Sequence, residues 1–507
     1  MPRLPPHRIA LLIALVLAAT APAQATIDTR AAVAAPAPDA LQEALATASA
    51  QAGKGDTLGA SIAVERLIAD PGFAALPLAA RTQAYTLAGW TALQTRQPDS
   101  ARGYLDTGRA LSPDDPALLF LLGVLDAQQD RSVEGARHIT RSLQLSTQFL
   151  GDVSGSMAGQ LNQSLRGHDA ERLALLQILF DRQWKSDGVE PAGLWRRLAT
   201  LQIEAGQHDK VAATLERIDA PMEVVALRAD RRFDPYIDRS SARFDALHSA
   251  QRHLDALRVD TLLSPGAGPS LVELSYALLV LGRNEEVLSL TEKPALASAD
   301  ARSPRRFEGS SDVAWLLNNR AVAQRRLGRT DEAVATLALA AQFAEGDGGT
   351  VGNVSQRLNL GVWWVGLQQP RKALEAVEGL TNTSPYGETA RAWVRFVAFR
   401  QLGDAAQAEA ARAQMQARPD TASEFLLEAD LEDNRLDQAA ARLIARLQSP
   451  EERGDALQSV QHYRSVPTMP GNVEREKRWW QVVDRRDVQA ALQAVGRSEH
   501  YALFDIE

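Results

Sequence analysis

Apolar and polar positions along this chain alternate with the period of an α-helix, in stretches broken by Gly, Asp and Pro. The clearest stretch runs from Trp315 to Ala341. It predicts a helix, a break at Gly328, acids Asp331 and Glu332 at the start of a second helix, and apolar positions at helical spacing. Gly accepts the left-handed turn that ends one helix, and acids suit the positive end of the next. The same layout recurs with one constant, a spacing of 12 residues between a mostly small residue of each helix and its counterpart. The pairs are Gly89 with Ala101, Gly123 with Gly135, Ala321 with Ala333, Gly361 with Ala373, Phe396 with Ala408, and Leu427 with Ala439. Small residues midway along both helices let the two axes approach closely. Prolines at Pro113, Pro385, Pro419 and Pro450 are expected to close second helices.

Each such hairpin leaves one apolar flank open, and stacking the next hairpin on that flank builds a continuous core. At these residues the chain resembles the tetratricopeptide repeat (TPR) family. The best copies are 314–347, 354–387, 389–421 and 420–452, followed by 82–115 and 116–149; weaker ones lie at 53–71, 194–221 and 270–294. The resemblance implies an all-α fold, a right-handed superhelix (α-solenoid) of antiparallel helix hairpins. The expected organisation is a signal peptide at 1–25, a flexible Ala/Pro leader at 26–39, N-terminal repeats at 40–225 (degenerate around 150–185), a boundary at 226–263, C-terminal repeats at 264–452 and a helical cap at 453–507. Leu227 to Arg239 has the look of a turn that divides two repeat groups. Residues 298–311 and 345–353 read as insertions between helices.

The first segment reads as a targeting signal. Arg3 and Arg8 precede an uncharged apolar run from Ile9 to Thr20, and Ala23-Gln24-Ala25 offers a small-x-small cleavage site. That run is too short to span a bilayer, which takes about 20 residues. The expectation is export to the periplasm with cleavage after Ala25, and no integral membrane span. With Cys 0 the chain carries no lipid on an N-terminal cysteine, no disulfide and no thiolate metal site. Lys+Arg 55 against Asp+Glu 63 gives a net charge of -8, so there is no global basic field to hold nucleic acid. The arginine doublets, among them Arg325-Arg326, are spread among acids and read as solvated helix surface.

No spacing of chemical residues suggests catalysis, a metal or a cofactor. His248 and His253 are five apart, which puts them on different helix faces. There is no His-Glu-x-x-His, no Gly-x-Ser-x-Gly and no phosphate-binding Gly-Lys loop, and Gly346 to Gly352 follows no strand. The expected function is therefore a non-enzymatic periplasmic scaffold that holds an extended peptide or protein in its groove, in envelope assembly or secretion. The alternatives are an accessory subunit of a polysaccharide synthesis or export system, or a helical accessory to a peptidoglycan enzyme. For the binding surface the resemblance points to Asn319 and Asn359, which take the same place in consecutive repeats. Asn318, Arg325 and Trp393 fall on or near that face by helical rotation. A neutral amide both donates and accepts, so it can hold a peptide backbone whatever the side chains. Val322 and Val362 stand where family members that grip a C-terminal carboxylate carry Asn, so an internal segment is the expected ligand.

Overall fold

Helix after helix begins on a residue that supplies what its first turn lacks. Asp56, Asp115, Ser154, Ser384 and Asp404 each accept a backbone N–H from the first turn. Pro98, Pro116, Pro221, Pro370, Pro385 and Pro419 open helices, where the missing N–H costs nothing. Pro385 and Pro419 therefore start the next helix; they do not close the preceding one, as their spacing had suggested. Hairpin turns pass through left-handed backbone, at Gly206, Gly282, Gly328 and Gly403 but also at Arg96, Asp130, Gln368 and Asn434.

The computed structural model describes residues 38–186, 189–263, 268–293, 310–344, 352–381 and 383–505. The expected signal peptide, most of the leader and most of both insertions lie outside them. The chain divides into two compact units, Met1–Ile218 and Asp219–Glu507. In the first, helix pairs stack in order: α1 (Pro38–Gly53) with α2 (Thr57–Ala69), α3 (Leu78–Gln94) with α4 (Pro98–Leu111), and α5 (Pro116–Gln128) with α6 (Ser132–Leu145). α7 (Gly155–Ser164), α8 (Asp169–Asp181), α9 (Ala192–Glu204) and α10 (His208–Leu215) continue the stack, so the degenerate stretch around 150–185 is also helical.

The second unit repeats the plan. Its pairs are α11 (Pro221–Ala229) with α12 (Ala246–Leu263), α13 (Gly268–Val280) with α14 (Asn284–Leu290), and α15 (Ser310–Arg326) with α16 (Thr330–Ala340). Then come α17 (Ser355–Gly366) with α18 (Pro370–Val377), α19 (Pro385–Leu402) with α20 (Ala405–Gln416), and α21 (Pro419–Glu432) with α22 (Leu436–Gln448). The architecture is thus all-α, an α-solenoid of antiparallel helix hairpins in each unit. The stretch read as a turn from Leu227 begins inside α11, which is helical through Ala229. The expected boundary 226–263 lies within the second unit and supplies most of its first hairpin.

The helices of a hairpin pack closely around the small residues of the 12-residue pairs. A Cβ on Gly123 would lie 2.5 Å from Ile139 and 3.0 Å from the Gly135 carbonyl, and one on Gly361 would lie 2.8 Å from Val377. Ala101, Ala333, Ala373 and Ala439 are wholly buried at the matching sites. One turn further along the same helices, the spacing carries a polar contact in three hairpins. His138 meets Asp126, Thr214 donates to Gln202, and Arg442 donates to Asp430. Asp430 also takes Arg412 at 2.7 Å; both side chains are at most 2% exposed.

The C-terminal segment is not wholly helical. It comprises α23 (Arg453–Ser459), β1 (His462–Arg464), α24 (Val473–Val483), α25 (Arg486–Val495) and β2 (His500–Phe504). β1 and β2 form a parallel pair with His462 opposite His500 and Arg464 opposite Phe504. α24 and α25 cover α21 and α22, where Leu431, Leu443 and Leu447 pack against Val482, Val488 and Leu492. From there the segment returns to the start of its unit. α23 packs on α11, Leu503 enters the cluster of Val224, Val225 and Val280, and the Arg497 amide donates to the Ala229 carbonyl at 3.0 Å. Arg228 and Arg239 both pair with Glu499, and Arg497 grips Asp234. The second unit closes on itself.

Candidate partner-binding face

First helices of successive hairpins lie side by side in the second unit, α13 next to α15, then α17, α19 and α21. Their common face carries the predicted site residues. Asn319 donates to Ser275 Oγ at 2.8 Å and, more weakly, to the Val272 carbonyl of α13. Asn359 donates from α17 to Asn318 Oδ1 at 2.9 Å. A relay of amides therefore ties three consecutive first helices together, so both equivalent asparagines bond the preceding first helix. Among the described residues the Asn318 amide nitrogen finds no nearer acceptor than Asn319 Oδ1 at 3.5 Å, a distance at which little bonding remains.

Asn318, Asn319 and Asn359 share a cavity of about 580 Å³ with Glu273, Tyr276 and Trp315. Trp315 is 37% exposed, unlike the buried Trp363 and Trp393 of the next first helices. The outward member of the adjacent pair is Trp364, half-buried beneath Lys372. Arg325 lies elsewhere: it lines a second cavity of about 620 Å³, donates to the Pro467 carbonyl at 3.2 Å and sits over the Trp363 ring. Trp393 lies outside both, beneath the guanidinium of Arg475 from α24. The structure thus gathers the three asparagines and separates Arg325 and Trp393 from them.

The doublet Arg325-Arg326 is not solvated surface. Arg325 is 8% exposed, and burial together with the charge of Arg325 brings Arg326 down to about 10, still cationic at neutral pH. Arg326 donates to the Leu279 carbonyl at 2.7 Å and to the Asp505 carbonyl at 2.9 Å, with its guanidinium over the Phe504 ring. Backbone carbonyls and ring faces replace the water these cations have lost.

What the sequence did not disclose is that this face already holds polypeptide. Residues 462–472 and 500–505 run against the first helices: Pro467 against α15, Met469 and Gly471 against α17, and Phe504 against α13. A Cβ on Gly471 would stand 2.6 Å from the Val365 carbonyl, so only glycine allows the two backbones to approach there. The holding groups are mostly Arg side chains aimed at backbone carbonyls, a mode that leaves no pattern in the sequence of the held segment.

The geometry defines a helical-repeat protein with a first-helix face able to hold extended chain. Among solved structures the chain is similar to the TPR domain of P58(IPK), at 14% identity and a TM-score of 0.21, over 88% of this chain and 100% of that one. A likeness that remote says nothing of what this chain binds. No family model matches the sequence, and no curated protein matches it.

Proposed function

We propose that the chain is a non-enzymatic, exported scaffold whose second unit holds an extended segment of a protein partner on its first-helix face. The observation that carries this reading is the chain's own C-terminal segment, gripped there through its backbone carbonyls by Arg325 and Arg326. A surface that holds backbone is tolerant of side-chain sequence, which suits extended ligands. Asn318 and Asn359, on the same face beside the open cavity, extend that capacity to a second polypeptide. The exported location rests on the signal-like sequence of residues 1–25, and a role in envelope assembly or secretion follows from that location.

A photoactivatable crosslinking residue at Asn359 tests the reading in cells, with one at the exposed Glu375 of α18 as the outer-face control. The expected result is a discrete partner adduct in the envelope fraction from position 359 and none from 375, on protein whose N-terminus is Thr26. Equal adducts from both positions, or none, contradict the scaffold; an intact Met1 contradicts export.

A further inference from the structure

The cavity between α13 and α15 is unevenly provided with charge. Glu273 stands at its rim, one turn from Tyr276, and among the described residues it has no ion-pair partner. Its surface stays accessible, yet the surrounding protein displaces enough water to push its carboxyl above the ordinary value. The Tyr276 hydroxyl makes no hydrogen bond among the described residues, and burial followed by the Glu273 charge pushes its pKa up as well. Asp312 and Asp505 add negative charge to the same lining. Among the described residues Arg326 is the cation of that lining, and it is already engaged by two carbonyls and a ring. Trp315 on α15 offers an accessible indole, and Asn318, more than nine-tenths buried, brings an amide nitrogen whose nearest acceptor among the described residues is 3.5 Å away.

A carboxylate that has lost part of its water gains from a cation that brings its own hydrogen-bond donors. An indole face beside it favours the same ligand, since a guanidinium or ammonium is drawn to the ring and its methylene stem packs on it. A donor amide alongside suits a backbone carbonyl. We propose that this cavity takes a Lys or Arg side chain of an extended partner polypeptide. The cationic group lies against Glu273, the stem lies on Trp315, and the adjoining carbonyl accepts from Asn318. The inference rests on the scaffold reading and specifies the partner's chemistry, a basic residue within an extended segment.

The test uses the full chain with methyl-labelled valines and three capped tripeptides, Gly-Arg-Gly, Gly-Leu-Gly and Gly-Glu-Gly. Val272, Val280 and Val322 line the cavity and report on it. The arginine peptide should shift these methyl signals saturably, and salt should weaken it. Glu273→Gln should weaken it by about ten-fold while melting stays unchanged, since one charge-assisted hydrogen bond is lost and no ion pair among the described residues is broken. The glutamate peptide should shift nothing. Equal shifts from the leucine or glutamate peptide, an unaffected Glu273→Gln, or no shift from any peptide at millimolar concentration overturns the proposal. The two readings fail separately. Partner adducts at Asn359 that persist in Glu273→Gln, with no response to the arginine peptide, reject the basic-side-chain pocket and leave the scaffold standing. Loss of all adducts in the unaltered chain rejects the scaffold itself.

Discussion

Ending the chain after Pro450 should unfold the second unit while residues 38–218 keep their own melting transition. The removed segment contributes Leu457, Val460, Val482, Val483, Val488 and Leu492 to the cluster around Leu431 and Leu443, and Leu503 to the cluster around Val224. At about 1.5–3 kcal/mol for each large apolar side chain taken from water, the loss is on the order of 10 kcal/mol. A domain's whole stability is about 5–15 kcal/mol, so the truncation exceeds what the unit can lose. The cut also uncovers both ends of the unit at once, α22 where α25 lay and α11 where α23 lay. Calorimetry of the truncated chain should therefore show one transition in place of two, with aggregation of the exposed apolar faces. A milder variant separates closure from capping. Gly496→Val brings a Cβ to within 2.5 Å of the Ala229 carbonyl, so it should break the junction with α11 and lower only the second transition. Two unchanged transitions in the truncated chain would show that the segment is an appendage.

Asp430→Ala should lower the stability of the second unit by about 3–5 kcal/mol, because it strands a charge inside the protein. Arg412 is 2% exposed, Asp430 is 1% exposed, and the two meet at 2.7 Å with Arg442 on the other carboxylate oxygen. Asp433 would still accept from Arg412 at 2.9 Å, but it is already shared with Arg400 and Arg435. Replacing the pair together, Asp430→Leu with Arg412→Met, should recover most of the loss, since a well-packed apolar pair avoids the desolvation cost. Denaturant unfolding of the two variants decides it. A single substitution that costs less than the double one would place the stability of this junction outside the ion pair.

The helical hairpins were legible because their cause is local. A small residue, a turn and a second small residue 12 positions on are all within one hairpin, and Gly123, Gly135, Gly361 and Ala373 lie where that spacing puts them. The polar contacts of Asp126 with His138 and Asp430 with Arg442 obey the same spacing three residues later, so the signal was present in the sequence and could have been taken from it. Pro385 and Pro419 were misplaced because a residue that ends one helix and one that begins the next occupy the same short gap; only the backbone shows that they belong to the following helix, whereas Pro113 and Pro450 do lie just past second helices.

The fold-back was not legible. β1 has three residues and β2 five, too few to show a period, and their partners are far apart in sequence. The contacts that hold the returning segment go to the carbonyls of Pro467 and Asp505 and past the missing side chain of Gly471, none of which depends on a recognisable motif. For the same reason Arg325 was placed on a binding face without its occupant, and the doublet it belongs to was taken for surface. Asn319 and Asn359 were found because they recur with the repeat, and Asn318 because it lies beside Asn319; Glu273, Tyr276 and Trp315 carry no such signal, and only the packing of α13 on α15 brings them to one cavity.

Hydrogen–deuterium exchange of the full chain, alone and in complex with its crosslink-identified partner, tests the account most directly. If the first-helix face of the second unit holds extended polypeptide, bound partner should slow exchange in α13, α15 and α17 and leave α14, α16 and α18 unchanged. Slowed exchange confined to those second helices, or to the first unit, would contradict it.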